Sequence, residues 1–134
     1  MNKYLLLGLS LALLSAVCFG VHYLVLHSTE LSDWWIGANY SLLGMYTFVG
    51  IASLVMLIML FAVDFAMPKQ VGFAFLIGMT LKAVASYFYI ADGINLLEND
   101  FIELNFLIIF FVYLLYDAFV ADYLVNQEEM NAVE

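Results

Sequence analysis

The chain has 134 residues, 66% of them hydrophobic and 11% charged, with a mean hydropathy of +1.02. Soluble domains carry about one charged residue in four, so a water-soluble fold is excluded. Twelve acidic residues against three basic ones give a formal charge of -9, which leaves nothing to neutralise a phosphate backbone and excludes nucleic acid as a partner.

Tyr4 to Leu26 is an apolar run preceded by Lys3, with Ser10, Ser15, Cys18 and His22 as its main polar members. It is longer than the core of a signal peptide, about 7 to 15 residues, and no A-x-A site closes it. We read it as a first transmembrane helix. Gly8, Ala12, Ala16 and Gly20 recur every four residues along it, a stripe of small side chains that suits close helix packing. The single cysteine, Cys18, lies inside this run and reads as a small packing residue.

His22 and His27 close the first helix, and Glu30 and Asp33 precede a Trp34-Trp35 pair of the kind that marks a membrane interface. The second helix is expected over 36–66, interrupted by Gly37, Gly44 and Gly50, with Asp64 near its end. At 1.5 Å per residue such a helix exceeds a hydrocarbon core of about 30 Å. Met67-Pro68-Lys69-Gln70 contains the only proline and is short enough to make the second and third helices antiparallel neighbours.

The third helix, 71–91, carries Lys82 near the middle of an otherwise almost wholly apolar segment, Phe75 to Tyr89. A lysine at that depth costs about 2.5–3.5 kcal/mol on insertion scales, so it should face a carboxylate, water or a protein interior. Gly78 lies one turn before it and Ser86 one turn after, both small enough to let another helix approach.

An acidic loop, Asp92 to Asp100, leads to a fourth helix over 101–124 that carries Asp117 and Asp122. The polar tail 125–134 is expected to fray. Asp100 and Glu103 fit a helix N-cap and first turn.

These elements predict an all-α integral membrane four-helix bundle, a single membrane domain over 1–134 made of two antiparallel hairpins. Lys3 and Lys69 fall on one side and both acidic loops on the other, so both termini are expected to be cytoplasmic.

Lys82 and Asp117 lie about 18 and 12 Å from the inner ends of their helices, an offset that a lysine stem bridges by snorkelling. Asp117 is therefore the expected partner of Lys82, with Tyr113, Ser86 or Tyr89 completing the hydrogen bonding. Such a pair serves either as an intramembrane relay or docking charge, or as a buried ion pair that fixes helix register.

Asp64 and Asp122 close two similar stretches, Phe61-Ala62-Val63-Asp64-Phe65 and Phe119-Val120-Ala121-Asp122-Tyr123, as parallel repeats or as two ordinary helix ends. His22, His27, Glu30, Asp33 and Asp92 include metal-ligand types but match no defined site, and a lone buried histidine is weak ground for haem. No metal, cofactor or catalytic residue is expected. No nucleophile elbow, phosphate loop, HExxH or CxxC occurs, so the chain does not read as an enzyme.

Gly78-Met79-Thr80-Leu81-Lys82, followed by the aromatic-rich run Asn105 to Tyr113, resembles small bacterial membrane proteins related to ATP synthase subunit I. The resemblance covers roughly the second half of the chain, with Gly78 and Lys82 as the matching positions. It implies a bacterial inner-membrane accessory protein that helps the rotor ring of the ATP synthase assemble, bound to a membrane protein complex. The residues themselves leave a second expectation open: an oligomeric ion or proton channel or carrier lined by Lys82, Asp117, Ser86 and Tyr113. In either case the lipid bilayer is the chain's solvent.

Overall fold

The computed structural model describes residues 2–29, 40–91 and 101–133, with side chains as far as residue 127 in the last stretch. Four helices occupy them: α1 (Lys3–Ser28), α2 (Leu42–Ala66), α3 (Val71–Ile90) and α4 (Phe101–Val133). No strand occurs among the described residues. Every helix is long and apolar enough to cross a membrane. The chain is an all-α four-helix bundle and a multi-pass membrane protein.

The helix limits follow from local chemistry. Asn2 caps α1 by accepting from the Tyr4 amide at 2.8 Å. Ser41 caps α2, its Oγ accepting from the Gly44 amide at 3.0 Å, and a Cβ on residue 44 would sit only 3.0 Å from that same oxygen. This cap corrects the expected start at residue 36: Tyr40 and Ser41 are not helical, and Ile36 to Asn39 lie outside the described residues. Side-chain caps of this kind contribute about 1 kcal/mol. A single 3-10 turn, Pro68–Gln70, joins α2 to α3, with proline at its first position where no amide is needed.

The polar tail does not end the last helix. α4 runs 33 residues to Val133, ~50 Å, because Val125 to Val133 contains neither glycine nor proline and is rich in Gln, Glu, Met and Ala, good helix formers. Glu103 lies in its first turn. Asp100, expected as its cap, falls outside the described residues.

α2 is the central element and touches α1, α3 and α4. It buries Met45, Val49, Ser53, Met56, Leu60 and Asp64 along one stripe. α3 buries Val71, Ala74, Gly78, Lys82, Ser86 and Ile90, spaced three or four apart, so the lysine lies on the same helical face as the packing residues. α4 contributes Ile102, Ile109, Tyr113, Asp117, Val120 and Leu124.

The side chain that approaches Gly78 comes from within this chain. A Cβ at residue 78 would lie 2.6 Å from Met59 Cε and 3.2 Å from Met56 Sδ, both on α2. Gly78→Ala should therefore be tolerated at small cost, since Met59 Cε is the free end of a flexible side chain. Gly78→Ile should lose about 1–3 kcal/mol by overpacking. Denaturation in mixed micelles checks this, and an isoleucine variant as stable as the parent would contradict the α2–α3 packing described.

Candidate functional site

The polar residues of the interior are stacked in tiers along the bundle. In the middle tier, Lys82 Nζ of α3 donates to Asp117 Oδ2 of α4 at 2.5 Å and to Ser53 Oγ of α2 at 2.7 Å. Ser53 Oγ in turn lies 3.4 Å from Asp117 Oδ2. The Lys82 and Asp117 side chains are 3% and 2% exposed. Two of the three ammonium protons thus have oxygen partners. The rings of Phe110 and Tyr113, with centroids 5.7 and 5.9 Å from Nζ, supply π faces on the remaining side.

Three helices meet at this one cluster. Ser53 lies 11 residues from the first residue of α2 and 13 from the last, ~17 and ~20 Å, so the pair sits near the bilayer midplane. The plus and minus charges cancel locally, which is how an ionised pair persists where each ion alone would be strongly penalised.

The other expected members of the site divide differently. Tyr113 does not hydrogen-bond the ion pair: its hydroxyl donates to Ser15 Oγ of α1 at 2.6 Å, and only its ring faces Lys82. Ser86 does not bond it either. Its buried Oγ has no hydrogen-bond partner. Tyr89 turns its carbonyl to the Tyr40 hydroxyl and stacks its ring on Phe48. Gly78 faces Met56 and Met59, as described above.

Asp64 and Asp122 occupy unlike settings. Asp64 is buried, 3.0 Å from Lys3 Nζ, and accepts from the Tyr4 hydroxyl at 2.6 Å. Asp122 is exposed and accepts from Asn126 Nδ2 at 3.2 Å. The Lys3–Asp64 contact also fixes the start of α1 beside the end of α2.

Two further tiers involve residues to which the sequence assigns no such role. Tyr116 of α4 donates to the Leu7 carbonyl at 2.5 Å and lies 3.0 Å from Ser10 Oγ. Towards the opposite end, His22 places Nδ1 3.1 Å from the Tyr46 hydroxyl and Nε2 2.6 Å from Asn105 Oδ1. Asn105 is oriented by its own Nδ2, which donates to the Phe101 carbonyl at 2.8 Å, so Oδ1 must accept and Nε2 must carry a proton. Nδ1 shares the Tyr46 hydroxyl with the Cys18 carbonyl, to which that hydroxyl also donates at 3.2 Å. Among the described residues no three of His, Cys, Asp and Glu come together; Glu30, Asp33 and Asp92 lie outside them, as do Trp34 and Trp35.

No family model, curated protein or solved structure matches the chain.

The middle tier yields a direct test. Lys82→Met or Asp117→Leu alone leaves one charge buried and should cost about 3–5 kcal/mol, whereas the double variant removes both charges and should recover most of that loss. Unfolding of all four proteins in mixed micelles gives the cycle. Additive losses in the double variant would show that the two side chains do not act as a pair.

Proposed function

We propose that this chain is a non-enzymatic integral membrane accessory or assembly protein of an energy-transducing membrane complex, placed in the bacterial inner membrane with both termini cytoplasmic. The resemblance of its second half to proteins related to ATP synthase subunit I points to rotor assembly as the task. One observation carries the interaction reading. The outer half of the small-residue stripe of α1 is open: Ala16 is exposed and a Cβ added at Gly20 would meet nothing within 4 Å, while Gly8 and Ala12 border a groove against α2. Small residues in a membrane helix let a second backbone come close, where dispersion contacts drive association in place of the hydrophobic effect.

This reading assigns partner contact to α1 and removes it from Lys82, whose charge is spent inside the bundle. A photo-crosslinker at position 16 should capture a membrane protein, while one at position 88, on the outer face of α3, should capture lipid. Ala16→Leu together with Gly20→Leu should lower recovery of that complex severalfold and leave thermal stability unchanged, since neither position packs within the chain. Capture of lipid alone at position 16 would sink the reading.

The tiers themselves favour a second reading, an oligomeric proton or ion carrier. Tyr4, Ser10, Ser15 and His22 hold polar contacts at successive depths of α1, ~27 Å from first to last. Against it, Lys82 and Asp117 are bonded to one another and to Ser53 inside the bundle, and the remaining ammonium proton faces the rings of Phe110 and Tyr113. Liposomes containing the protein are expected to show no proton flux above protein-free liposomes. A flux abolished by Asp117→Asn would replace the accessory reading with the carrier one.

A further inference from the structure

The outermost polar tier lies in the wall of a groove between α1 and α4, with a volume of about 600 Å³. Its α1 rim, which includes Val21, is exposed, so the groove opens laterally to the lipid. From Leu104 to Val112 on α4 it is ~12 Å long. Among the described residues the lining is apolar apart from one end, where His22, Tyr46 and Asn105 converge; Phe101 also lines the groove. An apolar groove with a few convergent polar groups at one end is the usual form of a small-molecule site.

We propose that this groove binds a neutral, ring-headed prenyl lipid of the quinone and quinol class. Charge selects against phospholipids: the chain's only basic residues, Lys3, Lys69 and Lys82, all lie outside the groove, so a phosphate headgroup would have to be desolvated without a counter-ion. Hydrogen bonding selects the head. One Nδ2 hydrogen of Asn105 goes to the Phe101 carbonyl, and no described residue takes the other. Oδ1, bonded to His22 Nε2, retains a second lone pair. The same amide can therefore donate to a quinone carbonyl and accept from a quinol hydroxyl.

The surrounding groups fit a flat head. The rings of His22 and Tyr46 meet edge to face at 5.7 Å, and with Phe101 they offer aromatic surface at the polar end. Asn105 lies four residues into α4, ~6 Å from its outer end, and the groove continues towards the midplane. That depth places the ring just below the headgroups and the prenyl tail in the hydrocarbon. The inference concerns binding and requires no electron transfer.

The test uses the full chain in phosphatidylcholine nanodiscs titrated with decylubiquinone, read by quenching of intrinsic fluorescence against empty nanodiscs. Val21→Phe fills the groove from its exposed rim without touching a hydrogen bond, and Asn105→Leu removes the amide. Circular dichroism and thermal melting monitor folding of both. Saturable quenching at one quinone per chain is expected, weakened at least tenfold by either variant. Quenching that never saturates, or that is equal in the parent and Val21→Phe, would overturn the proposal. So would native mass spectra in which a phospholipid stays bound and decylubiquinone fails to displace it.

Discussion

The structure depends on how a single ammonium group is satisfied at the centre of the membrane. Lipid tails are as apolar as leucine, so apolar packing alone gives the helices little reason to choose one register over another. Lys82 supplies the reason. Its bonds to Asp117 and Ser53 tie α3 to α4 and α2 at one depth, and any slip of one helix past another would strand a charge in hydrocarbon. The stripes on either side then interlock in a register the cluster has set: Met56 and Met59 over Gly78, and Ile109, Tyr113, Val120 and Leu124 filling the space around α4.

Much of this was legible in the sequence because the membrane imposes few options. Long apolar runs must be helices, since no other element satisfies its backbone without water, and the one lysine and one aspartate buried deepest on neighbouring helices have little choice of partner. Ser53 was harder to see. It is a lone hydroxyl in an apolar run, and only its depth, matched to that of Lys82, distinguishes it from a serine bonded to its own helix.

Local chemistry that hydropathy does not register sets the remaining features. Hydropathy points to a start for α2 at Ile36, whereas the Ser41 cap, which hydropathy does not register, sets the start at Leu42. The polarity of the tail 125–134 suggests fraying, yet polarity ends a membrane span without ending a helix, and α4 continues to Val133. Its spacing of one turn from Asp117 points Tyr113 towards the ion pair. On α4 it turns its hydroxyl to α1 instead and leaves only its π face to the lysine. His22, Tyr46 and Asn105 carried a usable signal: each is an isolated polar group in an apolar helix, and such groups find one another because the alternative is an unpaired dipole in lipid.

α1 differs in kind from the other three helices. It buries only Leu7, Leu11 and Leu26, and its attachments are mostly polar: Lys3 and Tyr4 to Asp64, Ser10 and the Leu7 carbonyl to Tyr116, Ser15 to Tyr113, His22 to Tyr46 and Asn105. Hydrogen bonds between membrane helices average only about 0.6 kcal/mol each, so α1 is held by several weak rungs where α2, α3 and α4 are held by a charge and close packing. All the rungs lie on the inward face. Ala16 and Gly20 lie away from that face, and small residues there, which would leave voids in a core helix, cost nothing where no described neighbour has to be filled against. The polar residues of α1 and its small residues are thus two halves of one arrangement, the first fixing the helix to its own chain and the second leaving a backbone within reach of another.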